Sequence, residues 1–524
     1  MTKPAYEICE YTFENLKRIL AEKSGNPVET VENKVHSIYF RDYFTELKAK
    51  TIIVENFYVD RDFLEDYAAY YVRCFKPYER LCTRLHFFDL LITEENFDSI
   101  LEGRAEEGLS EKLINAYLGF VIIKWLPETI IGRTCLKTYG NDNGRRQYTP
   151  TRCYNANLFG LELKVKSLAF QEQDHVVAAC ATSALWSTFH GTGKKFQHPI
   201  MSPVDITKAA CDHMPLDTRA LPNRGLSSEQ IAHAIRNVNL EPYPVDASDQ
   251  VLLQDNVYAY CKFGIPLLLG VYLVDISKDK PEYLGNHAVA VTGYSLGVAE
   301  PTPLSPSGFL TKSSQIDKIY AHDDQVGPFS RMELNQGEIT FYSQNSEIEF
   351  KFNSISTSFK KADGNIGDIR AVPTTIFIPL YHKIRIPLET VRDSLISFDA
   401  WIEFFKCLGL IPLAKRLVWD VYLTTINQFK KSILESDWTG GSYKRDLLLE
   451  QMPRFLWRAT AFCEKNQVID LLFDATDIEH GSFLAKIIPY YARLAEVIKA
   501  IHNVPELVGR IKSTPAWKII AGFN

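Results

Sequence analysis

The longest strongly apolar stretch in the sequence, GIPLLLGVYLV at Gly264–Val274, covers about half of the ~20 residues that a bilayer-spanning helix needs. It reads as a buried helix end or a strand. The remaining apolar residues come in short periodic runs that must be buried against one another in water. At 524 residues the chain is too long for one ordinary domain, and domains of roughly 100–200 residues predict two to four cores. With 46% hydrophobic and 23% charged residues, the material for those cores is present. The 58 lysines and arginines stand against 64 aspartates and glutamates, a net charge of −6. No global basic field exists to hold a phosphate backbone, so no nucleic-acid partner is expected.

Glu7, Glu10 and Glu14 interrupt the first residues where a secretory signal needs a continuous apolar segment. The ten cysteines are scattered, with no CxxC pair and no cluster of metal-ligand spacing. These features predict a cytoplasmic chain with reduced thiols, no disulfide framework, no metal, no cofactor and no membrane span.

Three regions follow from the patterning. Residues 1–150 are expected as a mixed α/β accessory region. It holds an amphipathic helix at Phe13–Lys23, a strand at Thr51–Tyr58 and a helix at Asp62–Cys74, then β-rich runs at Leu85–Ile92, Gly119–Trp125 and Ile130–Leu136. The polar stretch Tyr139–Thr151 reads as a loop and Leu158–Phe170 as strand-like. Residues 151–385 hold the chemistry. There Ser227 and Gln230 have capping-box spacing before a helix over Ile231–Val238, and a second helix covers Asp249–Lys262. Gly264–Val274, His287–Tyr294 and Ile319–His322 read as strands. Residues 386–524 are expected as a mixed α/β, helix-rich region, with helices at Leu388–Leu408 and Pro489–Ile501 and one clear strand at Val468–Phe473. The fold class is α+β.

The segment Gln171–Gly191, QEQDHVVAACATSALWSTFHG, carries the strongest chemical signal. A helix is expected to begin at Cys180, with Ala181, Ala184 and Leu185 favouring it and Gly191 stopping it. A thiol at a helix N-terminus meets the positive end of the dipole and free backbone N–H groups. Such settings lower a thiol pKa from about 8.5 to ~3.5–7.5 and can hold a developing oxyanion. His287, in GNHAVAVTGY, starts an apolar strand that would fix an imidazole for proton transfer. The following strand runs into Asp323 and Asp324, where a carboxylate can accept the imidazole N–H. Each residue alone has an ordinary explanation: a buried cysteine, a structural histidine, a turn of aspartates. The argument rests on their conjunction and order.

That order resembles the papain-like cysteine peptidases, and most closely their compact bacterial branch, the double-glycine leader peptidases. In that branch a Gln precedes a Cys that opens a helix, and a His begins a strand that ends in a Thr-Gly turn. An Asp lies on the next strand. The matching residues are Gln173, Cys180, His287 and Asp323. The resemblance covers about a third of the chain and does not extend to the flanking regions. It implies a central domain with the nucleophile helix packed on an antiparallel sheet. It also implies a thiol peptidase whose catalytic residues are Cys180, His287, Asp323 and Gln173, acting on a protein or peptide substrate. The family's oxyanion Gln sits six residues before the Cys, where this chain has Asp174, so Gln173 needs a one-residue bulge and Gln171 is the alternative. Asp324 is the alternative to Asp323. Trp186 reads as helix packing.

The same thiol chemistry fits an acyltransferase, and a papain-like domain kept only for binding is the reading from outside enzymology. The flanking regions are expected to cover the cleft partly and to offer a surface for a regulatory partner. Other signals are weaker. His175, Cys211-Asp212-His213 and His322 read as structural or loop residues, Gly191–Lys195 as an imperfect phosphate loop, and Asp474 with Asp477 as a turn.

Overall fold

Ile52 and Val54 point to one face of a strand and Ile53 to the other, and all three are fully buried, so the strand Thr51–Tyr58 must be covered on both sides. In the computed structural model it is the second strand of a five-stranded antiparallel sheet in the order Tyr6–Glu10, Thr51–Tyr58, Cys82–Phe88, Tyr117–Ile123, Ile131–Leu136. The structure describes residues 4–523 apart from 175, 213–219, 224, 278–279, 343–348, 360–366, 439–440 and 479–482. One face of the sheet meets helices Phe13–Ser24 and Val35–Glu46 in a core that includes Leu16, Phe40, Phe44, Val54 and Phe87; Phe44 stacks on Phe87 at 3.8 Å. Ile53, Phe120 and Ile122 join a second core with Ala181, Leu185, Trp186 and Phe189 of the helix Cys180–Phe196.

That helix also packs on the strand Leu267–Asp275, part of an eight-stranded sheet. The main path of this sheet runs Gly327–Glu333, Ile316–Asp323, Glu282–Leu296, Leu267–Asp275, Ile369–Tyr381, Ile355–Ser356. Leu267–Asp275 pairs antiparallel with Glu282–Leu296 and with Ile369–Tyr381, as do Ile316–Asp323 with Gly327–Glu333 and Ile355–Ser356 with Ile369–Tyr381; Val271 lies opposite His287 and Gly270 opposite Thr375. The protein is therefore α+β, with antiparallel sheets predominating.

Contacts divide the chain into two compact units. The first takes in Met1–Asp249, Gly264–Ser295 and Asp317–Pro379, which spans the expected first region and most of the central one. The second gathers Gln250–Phe263, Leu296–Ile316 and Leu380–Asn524. Its sheet has the order Leu310–Thr311, Val418–Thr425, Phe455–Cys463, Asn466–Asp474, Leu484–Pro489. Helix Gln250–Phe263 is fastened to that sheet through Asp420, which receives bonds from Tyr258 (2.9 Å) and Lys262 (2.7 Å).

Most expected elements are present within a few residues, including the capping box of Ser227 and Gln230 ahead of helix Ser228–Asn237. Three differ. Leu158–Phe170 is not one strand: Arg152–Leu158 and Leu161–Ser167 form a hairpin, turned by Phe159 and Gly160 at φ 49° and 96°. Gly191 does not stop the nucleophile helix, which runs on to Phe196 and ends at Gln197 in the left-handed region. A Cβ at Gly191 would lie 2.6 Å from Pro266, so this glycine serves close packing instead of termination. The last region carries several strands beyond Asn466–Asp474, and helix Ala492–Ile501 starts later than expected.

Candidate active site

The chain before Cys180 is shaped by one buried carboxylate. Asp174 Oδ1 accepts the backbone N–H groups of Val176 (2.7 Å), Val177 and Ala178 (3.0 Å), and Oδ2 accepts the Tyr71 hydroxyl at 3.0 Å. Thr207 bonds the Val177 carbonyl and Asn223 N–H bonds that of Val176. The helix then starts at Cys180, and its N-cap, Ala179, has extended geometry and no side-chain cap. The first N–H groups of the helix are left for another acceptor. Cys180 is half-buried.

Cys180 and His287 line one cavity of about 570 Å³, together with Gln173, Asn286, Gln325 and Thr375 among others. Gln173 therefore shares the cavity with the thiol; Gln171 is buried and does not line it. Asp174, at the position where the resemblance would place the Gln, is occupied with the loop. Every lining residue falls between Gln173 and Phe377. Among the described residues the lining of this cavity includes none from the flanking regions, while Cys180 is not fully exposed.

His287 sits on strand Glu282–Leu296, paired with Val271, and is 4% exposed. Its Nε2 lies 3.0 Å from Asp323 Oδ1 and 3.8 Å from Asp324 Oδ1. Asp323 Oδ1 also accepts Gln325 N–H at 3.1 Å, which closes the turn after its strand. The remaining ring nitrogen, Nδ1, is buried without a partner at ordinary hydrogen-bond geometry, while the Cys180 thiol is near enough to favour the protonated ring. The thiol contact is thus looser than a regular hydrogen bond. Burial would by itself strip the proton from the ring. The Asp323 carboxylate, then the thiol and Asp324, outweigh it and hold the His287 pKa well above the histidine range.

Neither carboxylate oxygen of Asp324 has a hydrogen-bond partner, and both are buried. Burial pushes its pKa up to about 7; the His287 ring opposes that shift and the Asp323 charge adds to it. The Asp324 backbone carbonyl accepts His36 Nε2–H at 2.9 Å, from helix Val35–Glu46. His36 Nδ1 is 3.9 Å from Glu172, which pairs with Lys34 and accepts the Ile131 N–H at 2.9 Å. On the same helix Tyr39 donates to the Pro328 carbonyl at 2.7 Å, and its ring covers Gly327 so closely that a Cβ there would clash at 2.3 Å. The first region therefore grips the site from behind: Tyr71 holds the loop before Cys180, and His36 and Tyr39 hold the turn after Asp323. Sequence reasoning missed these residues. Asp174, at the position the resemblance reserves for Gln, was the one visible hint.

His287, Asp323 and Asp324 also place ligand atoms within 4.8 Å of one another, the arrangement among the described residues that could take a metal ion. The ring nitrogen facing the pair is already engaged by Asp323. His322 is structural: its Nε2–H bonds the Leu168 carbonyl at 3.0 Å and Nδ1 accepts Phe329 N–H at 3.0 Å. Gly191–Lys195 lies inside a helix and forms no phosphate loop. Asp474 accepts from Thr476 as a turn residue, and Trp186 is buried in the core. His175 and His213 lie outside the described residues. No protein-family model matches this sequence, and no curated protein matches it.

Proposed function

We propose that the protein is a papain-like cysteine peptidase that cleaves a peptide or isopeptide bond through Cys180, His287 and Asp323. One observation carries this reading: residues far apart in the chain converge on one cavity in the order the chemistry requires. A thiol stands at an uncapped helix start, and a buried imidazole is held on its far nitrogen by a carboxylate. The helix packed on an antiparallel sheet that carries the His and Asp is the arrangement that the papain-like resemblance implies.

In this mechanism Asp323 fixes the tautomer, so that Nε2–H faces the carboxylate and Nδ1 faces the thiol. The Cys180 proton passes to Nδ1. The thiolate attacks the substrate carbonyl carbon, and the oxyanion is held by the Cys180 N–H and the Gln173 side-chain amide. His287 gives its proton to the leaving amine as the C–N bond breaks, leaving a thioester. It then takes a proton from water, whose hydroxyl attacks the thioester; the C–S bond breaks, the acid is released, and His287 returns the proton to the Cys180 sulfur.

The test is a pool of synthetic peptides incubated with the full-length protein in ¹⁸O-labelled water and read by mass spectrometry. New carboxyl termini carrying one ¹⁸O are expected from wild type and not from Cys180→Ala or His287→Ala. Cleavage that survives Cys180→Ala refutes the assignment. Transfer of the acyl group to an added amine in preference to water identifies an acyltransferase.

A further inference from the structure

Two buried carboxylates of this protein are occupied by hydrogen bonds. Asp174 accepts three backbone N–H groups and a tyrosine hydroxyl. Asp470 accepts Arg458 and Thr460. Among the described residues Asp324 is the contrary case: it is 3% exposed, and both of its oxygens lack a hydrogen-bond partner. Its backbone carbonyl, held by His36, does the structural work at this position, so the side chain is not needed to hold the turn. An unpaired buried carboxyl is unfavourable, and one that persists next to an ionisable ring calls for an explanation. Its oxygen is 3.8 Å from His287 Nε2, inside the distance at which an opposite charge moves a pKa by ~1–3 units.

We propose that Asp324 is a positioning residue of the site, a second carboxylate whose charge sets how tightly His287 keeps its proton while Asp323 orients the ring. This rests on the peptidase reading, in which a protonated His287 partners the Cys180 thiolate. The groups that face Asp324 are His287 on the neighbouring strand, Asp323 on its own strand, His36 from helix Val35–Glu46, and Glu172 with its partner Lys34. His36 is kept neutral by burial, which pushes it down to about 4, and Glu172 is offset by Lys34. His287 is therefore the cation that Asp324 acts on. Asp323 alone gives an oriented ring; with Asp324 ionised beside it, two negative charges favour imidazolium over imidazole. The thiolate–imidazolium pair then gains over the thiol–imidazole pair, because the two carboxylates lie 3.0 and 3.8 Å from a nitrogen of the ring that carries the added charge.

The experiment is a pH titration of the histidine ring signals of the ¹³C-histidine-labelled full-length protein, with His287 identified by its loss in His287→Gln. Asp324→Asn keeps the shape and removes the charge. The His287 midpoint is expected to fall by about one pH unit or more, a ten-fold loss of proton affinity, and alkylation of Cys180 by iodoacetamide at pH 7 to slow several-fold. Asp324→Ser gives the same readout should the amide fold poorly. A midpoint within ~0.2 pH unit of wild type in a folded variant overturns the proposal, because a merely structural carboxylate would leave it there. Cys180→Ser separates the two claims. If that change leaves the His287 midpoint unmoved, the thiol–imidazole pair fails whatever Asp324 does.

Discussion

Replacing Asp174 by alanine removes the acceptor for three backbone N–H groups and the Tyr71 hydroxyl, all in the loop that delivers Cys180 to its helix. Hydrogen bonds to a charged group contribute ~1.5–3 kcal/mol each, so four at the low end come to about 6 kcal/mol. Two effects reduce this. Water can enter the vacated space, and Asp66, whose carboxyl is held well above its usual range by burial and then by the Asp174 charge, is relieved. The expected loss is about 4 kcal/mol. Tyr71→Phe removes one of the four bonds and is expected to cost about 1.5 kcal/mol. Asp174→Asn keeps an acceptor for the three N–H groups and should fall between the two. Urea unfolding followed by tryptophan fluorescence measures the order, and iodoacetamide labelling of the folded variants reports whether Cys180 has moved. An Asp174→Ala loss under about 1 kcal/mol, or one no larger than that of Tyr71→Phe, would refute the claim that this carboxylate shapes the loop.

Gly191→Ala should destabilise by about 1–3 kcal/mol in the same unfolding assay, because the new methyl meets the rigid Pro266 ring at 2.6 Å. That outweighs the ~1 kcal/mol by which alanine favours a helix, and a net gain in stability would contradict the packing role. His322 is held neutral, its pKa pushed down to about 3 by burial against one hydrogen bond. A histidine lowered in the fold contributes stability present above its unfolded value near 6.5 and lost as pH falls toward 3, up to ~5 kcal/mol. Melting between pH 7 and pH 3.5 should therefore show a steeper acid decline in wild type than in His322→Gln; parallel declines would count against it.

Much of the fold was legible because its signals are local. The β-branched apolar run in Thr51–Tyr58 and the capping box of Ser227 and Gln230 each specify an element without outside help. What was missed depends on distant partners. Gly191 carries the same signal whether it ends a helix or admits Pro266. Strand Phe455–Cys463 contains Arg458, which looks out of place until Asp470 on the next strand pairs with it at 2.7 Å. Helix Gln250–Phe263 shows its length in sequence, but its place in the second unit depends on Asp420, far along the chain. At the candidate site, the order of Cys180, His287 and Asp323 was readable because Cys180 opens its helix, Asp323 ends its strand, and His287 begins the buried run of a strand that itself starts earlier, at Glu282. Tyr71, His36 and Tyr39, which hold the two loops from behind, belong to a region whose sequence shows no chemistry. The unpaired state of Asp324 is likewise a property of the packed interior.

The central claim is that Cys180 and His287 act as one nucleophilic pair. The most direct measurement is the rate of iodoacetamide alkylation at Cys180 against pH, located by mass spectrometry, in wild type and His287→Ala. The account predicts fast alkylation that persists well below pH 8 in wild type and is lost without the imidazole. Slow alkylation that rises only near the ordinary thiol range of about 8.5 and is indifferent to His287 would contradict it.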